Sequence, residues 1–87
     1  NVLHGGVTMT LLDVAMAHAA RSPRTGAEAD PRGVVTVEMK TSFVRPGVGA
    51  VLARGWVLHR TASLAFCEGS VLDAHGELVA HATGTFK

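Results

Sequence analysis

His4-Gly5-Gly6-Val7-Thr8-Met9-Thr10-Leu11-Leu12-Asp13-Val14-Ala15-Met16-Ala17-His18-Ala19-Ala20 is a run with almost nothing in it for water. Its apolar residues fall on every side of a helical wheel, and a helix apolar all round is a buried one, wrapped by its own domain. Asp13 is the only acid between Gly5 and Ala20. Burying a carboxylate costs several kcal/mol unless it is paired, so an aspartate at that position needs a purpose. The helix is expected over Gly5–Arg21. Arg21 suits the negative end of the dipole, and Ser22-Pro23 provides a stop.

Downstream, Ser22–Gly33 mixes prolines, glycines and charges and reads as a solvent loop. From Val34 the period becomes two. Val35, Val37, Met39, Thr41 and Phe43 fall on one side, with Thr36, Glu38, Lys40 and Ser42 on the other. Arg45-Pro46-Gly47 ends this strand. Further strands are expected over Ala50–His59, Ser63–Asp73 and Leu78–Phe86, with a turn at Asp73–Gly76. Short links make the last three an antiparallel meander. The fold class is therefore α+β, a curved antiparallel sheet around one long helix. One domain over residues 1–87 is expected, preceded by a segment the sequence lacks. Its thin core calls for a covering partner.

Composition narrows the function. Net charge is +1 and the eight basic residues are scattered, which disfavours nucleic acid as a partner. The apolar run is shorter than the ~20 residues that span a bilayer and carries Asp13 and His18, so no membrane partner is expected. A single cysteine, Cys67, fits a reducing compartment, and cytoplasm is the default. In its strand Cys67 reads as a small core residue, and the methionines as core filler. The five histidines lack paired ligand spacing, so no metal and no cofactor are expected. No serine sits in a nucleophile elbow.

Taken together, His4-Gly5-Gly6, Leu11-Leu12-Asp13, Thr36-Val37-Glu38-Met39, Phe43-Val44-Arg45-Pro46 and Leu72-Asp73 followed by Gly76-Glu77-Leu78-Val79-Ala80 resemble the hotdog-fold acyl-CoA thioesterases of the phenylacetate-pathway type. The likeness covers nearly the whole chain. It implies a sheet wrapped around a central helix, hydrolysis of an acyl-CoA thioester without a metal, and a homodimer or homotetramer. It also implies a role for Thr36 in holding the attacking water.

Such hydrolysis needs a home for the charge that grows on the carbonyl oxygen, and a base or nucleophile. A helix N-terminus offers unpaired N–H groups, and glycine lets the ligand approach the backbone. Gly5 is thus the candidate oxyanion donor, with Gly6 beside the substrate and His4 orienting the turn or touching the acyl group. Asp13 is the candidate general base or carboxylate nucleophile. Eight residues at ~1.5 Å rise put Gly5 and Asp13 about 12 Å apart, too far for one carbonyl to touch both. The site is expected to join Gly5 of one subunit to Asp13 of another.

Relatives often carry Gly-Arg or Gly-Lys at the turn between the second and third strands, against coenzyme A phosphates. Here the turn reads His59-Arg60-Thr61-Ala62-Ser63, leaving His59 and Arg60 as the candidates. A polar residue that polarises the carbonyl in some relatives lies upstream of the His-Gly-Gly; Asn1 is the nearest candidate, at closer spacing. Trp56 and Phe43 could line an acyl pocket or fill a core. The other reading is a non-catalytic module that binds or senses acyl thioesters. The His-Pro and Asp-Asn-His patterns of hotdog dehydratases are absent from the sequence.

Overall fold

A computed structural model describes residues 4–21 and 34–87; Asn1 and the expected loop Ser22–Gly33 lie outside the described residues. The described elements are helix α1 (Gly5–Arg21) and strands β1 (Thr36–Phe43), β2 (Val51–Arg60), β3 (Ala65–Asp73) and β4 (Leu78–Phe86). The strands form one antiparallel sheet in the order β1-β4-β3-β2. The meander is present, and β1 joins it at the far side of β4. One helix lying on this sheet is the hotdog arrangement. Among the described residues no helix is long and apolar enough to cross a membrane.

The helix lies on a floor of small residues. Gly55 pairs with Gly69, Gly69 with Ala82, and Ala82 with Thr41, making one lateral row across all four strands. A Cβ on Gly55 would lie 2.5 Å from the Ala15 carbonyl oxygen, and one on Gly69 would lie 3.0 Å from Met16 Cγ. At Gly55 helix backbone and strand backbone meet with no side chain between them, while Gly69 makes room for the Met16 and Leu12 side chains. Thr8, Leu12, Met16 and Ala20, spaced by four, form the buried stripe. Leu12 and Met16 are fully enclosed with Cys67, Val71, Ala82 and Phe86. Truncating Leu12 to alanine should cost about 2–5 kcal/mol.

Two expectations need correction. The helix is not buried all round: Val14 is 61% and Val7 47% exposed. One sheet covers one stripe of a helix, and the remaining apolar side is not covered by the described residues. The strict alternation of β1 also fails at its start. Thr36 pairs with Phe86 and Glu38 with Thr85, so Val37 is a bulge. The extra residue turns Thr36 from the Glu38–Lys40–Ser42 side to the helix side, with Met39, Thr41 and Phe43. A second bulge falls at Leu58, between the pairs Val57–Cys67 and His59–Phe66. It moves Arg60, paired with buried Ala65, to the helix side as well.

At the β3–β4 turn, Gly76 has φ +79°, which only glycine adopts at no cost. Asp73 Oδ1 accepts from the N–H groups of His75 and Glu77 at 2.9 and 3.0 Å. The bond from Glu77 is the main cause that holds the Asp73 carboxyl below its ordinary pKa; burial opposes it, and the His75 N–H and the charges of His75 and Arg45 assist. Arg45 donates from Nε to the Leu78 carbonyl at 2.9 Å and pairs with Glu77, tying the chain beyond β1 to this turn.

Candidate active site

The helix begins as the sequence suggests, and His4 shapes its first turn. The Gly6 N–H donates to His4 Nδ1 at 2.9 Å, and the Thr8 N–H to the His4 carbonyl at 3.0 Å. A helix leaves its first N–H groups without partners in the helix itself. With Gly6 satisfied by the imidazole, the Gly5 N–H makes no hydrogen bond to any described residue. Gly5 is half-buried and flanked by Phe43, whose ring edge is 3.6 Å from the place a Cβ would take.

Two turns along the helix, Asp13 is half-buried rather than enclosed. Thr36 Oγ1 donates to Asp13 Oδ1 at 2.7 Å. This bond exists because the Val37 bulge aims Thr36 inward. It fixes the carboxylate orientation and leaves Oδ2 as the oxygen with no partner among the described residues. Thr36 lies beside Asp13 and Phe43 beside Gly5, so β1 runs antiparallel to α1 along one flank of it. Thr36 and Asp13 therefore come together within one chain, whereas Gly5 and Asp13 stay apart by about 12 Å of helix.

The two candidates for phosphate contact, Arg60 and His59, face opposite sides of the sheet. Arg60 donates from Nη1 to the Ala20 carbonyl at 2.8 Å and from Nη2 to the Ala19 carbonyl at 3.2 Å, capping the C-terminal end of α1. A cation there also opposes the negative end of the helix dipole. His59 is exposed on the opposite face of the sheet, stacked on Phe66 with ring centroids 6.2 Å apart. Between α1 and β2 an open groove of about 700 Å³ is lined by Leu11, Val14, His18, Val57 and Arg60 among others. Gly5, Asp13 and Thr36 are not part of its lining; it follows the other flank of the helix.

A half-buried carboxylate steadied by a hydroxyl, on a helix whose first N–H has no partner among the described residues, offers groups of the kind that acyl transfer uses. Residues 1–80 match the model of the thioesterase superfamily. This chain belongs to that superfamily. Solved structures agree. The BH2602 protein of Bacillus halodurans, crystallised with CoA, is 35% identical with a TM-score of 0.83 over 99% of this chain and 58% of its own. The conserved protein PA5202 of Pseudomonas aeruginosa is 31% identical with a TM-score of 0.81, covering 98% and 65%. A phenylacetic acid degradation-related protein of Ralstonia eutropha is 26% identical with a TM-score of 0.77, covering 98% and 61%. A search of curated proteins gave no match. The chain spans about three fifths of the length of the solved relatives it matches.

The bulge that aims Thr36 was not legible by periodicity, because it shifts the alternation within a single residue. Phe43 stood level with Trp56 as a pocket candidate. The structure separates them: Trp56 alternates with Gly55 and Val57, which face the helix, and so it lies on the other side of the sheet.

Proposed function

We propose that this thioesterase-superfamily chain hydrolyses acyl-CoA thioesters, at a site shared between two copies. The observation that carries the reading is the Thr36–Asp13 hydrogen bond on a helix whose Gly5 N–H has no partner among the described residues. The thioester carbonyl oxygen would accept from Gly5 N–H in one copy, where the helix dipole favours developing negative charge. Asp13 of the second copy would act through Oδ2. As a base it takes a proton from water while the water oxygen bonds to the carbonyl carbon. As a nucleophile it forms that bond itself, and water then cleaves the resulting anhydride. In both routes the C–S bond breaks as the tetrahedral species collapses, and the CoA sulfur leaves and gains a proton.

The second copy follows from reach. About 12 Å of helix cannot close on one carbonyl, and the uncovered apolar side of α1 at Val7 and Val14 gives that copy something to bury. A homodimer, or a homotetramer built of dimers, meets the requirement. His4 would act by holding Gly6 in place. His59 and Asn1 stand as proposed substrate contacts, while Arg60 serves the helix end.

Release of free thiol should be followed over a panel of acyl-CoA substrates for wild type and Asp13→Asn. The variant should lose at least about 100-fold in kcat with KM little changed. Unchanged kcat in Asp13→Asn removes Asp13 from the chemistry. Tight acyl-CoA binding without hydrolysis by the wild type favours the non-catalytic binding module. An active monomer on gel filtration defeats the shared site.

A further inference from the structure

We propose that Phe43 determines acyl specificity, forming with Met9 the wall against which the acyl half of the thioester rests; this builds on the thioesterase reading above. Four observations converge on it. First, Phe43 Cζ and Cε1 lie 3.6 and 3.7 Å from the place a Cβ on Gly5 would occupy. A carbonyl oxygen accepting from Gly5 N–H at ~3 Å brings the substituents of that carbonyl within van der Waals reach of the ring.

Second, nothing among the described residues requires glycine at position 5. A Cβ there meets only ordinary contacts, and Gly5 is not among the glycines with positive φ. Gly55 differs, since backbone fills the space above it. The space over Gly5 is thus left open by the fold and bounded by the Phe43 ring.

Third, the wall stands on a fixed base. The next two residues are pinned to β4, Val44 N–H donating to the Val79 carbonyl at 2.8 Å and Arg45 N–H to the same oxygen at 3.2 Å. Phe43 keeps 54% of its surface exposed, which leaves an apolar face beside Gly5 to be covered. Fourth, Met9 lies one turn after Gly5 on the same flank and is 40% exposed; helical side chains lean toward the N-terminus, which carries Met9 toward the ring. An apolar wall suits an acyl substituent better than the amide-bearing arm of coenzyme A.

The test is kcat/KM for acetyl-, hexanoyl-, isobutyryl- and phenylacetyl-CoA with wild type, Phe43→Ala, Phe43→Leu and Trp56→Ala, alongside melting curves. Acetyl and phenylacetyl N-acetylcysteamine thioesters separate the two halves of the substrate. Phe43→Ala should raise the phenylacetyl-to-acetyl ratio at least about tenfold, the size expected when a pocket gains room for several carbons. Phe43→Leu should fall between, and Trp56→Ala, on the far face of the sheet, should leave the ratio as in wild type. The same ratio change should appear with the truncated thiol. A uniform fall across the panel, an equal shift in Trp56→Ala, or a shift that follows the thiol half overturns the proposal. Absence of hydrolysis by the wild type removes the thioesterase reading and this proposal with it. A flat panel in an active enzyme removes only Phe43.

Discussion

The two ends of α1 receive opposite treatment. At the C-terminal end, two carbonyls are taken up by Arg60, delivered by the Leu58 bulge in β2. At the N-terminal end, His4 satisfies Gly6, while the Gly5 N–H has no partner among the described residues and Phe43 flanks Gly5. Both ends face the same general cost, since unpaired backbone groups destabilise a helix when they leave water. Among the described residues one end is closed and the other is not, which fits the proposed division between a stabilised end and an end that meets the ligand. The edge strands divide the same way. The bulge in β2 supplies a cap, whereas the bulge in β1 supplies a hydroxyl to Asp13.

The sharpest way to break this contrast is a pair of identical substitutions at two glycines. Gly55→Ala should destabilise by about 3 kcal/mol or more, because the new methyl group meets the Ala15 backbone and neither side can yield easily. Gly5→Ala should change the melting temperature little, yet cut kcat/KM about tenfold or more by crowding the ligand's approach to the N–H. Equal losses of stability at both positions would erase the distinction between a packed glycine and an open one.

The closed end comes next in size. Arg60→Met keeps much of the aliphatic bulk and removes the donors to Ala19 and Ala20. Charged hydrogen bonds of this kind contribute about 1.5–3 kcal/mol, so a fall of roughly 10 °C in melting temperature is expected for a domain of this size. The ratio of activities across acyl groups should stay put. A change in acyl preference without loss of stability would instead place Arg60 with the substrate.

Much of this was legible beforehand. The helix was, because seventeen residues run from a glycine pair to Arg21 without a breaker. The strands were, because β-branched and polar residues alternate between turn signals. Thr36 was assigned to the wrong face for a physical reason, whereas Arg60 was expected in the turn beyond a strand ending at His59 and instead closes β2. A period of two is counted from the ladder, and a bulge adds a residue that the count cannot see. Thr36 and Arg60 both reach α1 from beside a bulge, so the ladder is irregular where the fold re-aims side chains. The apolar sides of the helix misled differently: sequence shows that they must be covered and is silent on whether the same chain covers them.

The smallest effect belongs to neither end and serves as a control. The Asp73 carboxyl is held below the ordinary range for an aspartate chiefly by the backbone N–H of Glu77, with that of His75 assisting. Its folded value is depressed, so its contribution is fully present above the unfolded value and is lost as pH falls through the folded one. Melting temperature followed below about pH 4 should therefore decline less steeply for Asp73→Ala than for wild type, with the gap between them closing as acid is added. Parallel curves would place the acid sensitivity elsewhere.

Cys67 has a practical consequence for every measurement above. Its side chain is 1% exposed behind the helix, and burial pushes the thiol up from its ordinary value against the weaker pull of Arg60. Sulfur reacts with aromatic disulfide reagents as the thiolate, so the native protein should be silent to the dye that reports released CoA. Colour that develops in a substrate-free blank would then be a direct readout of molecules that have opened, giving each kinetic trace its own internal gauge of folding.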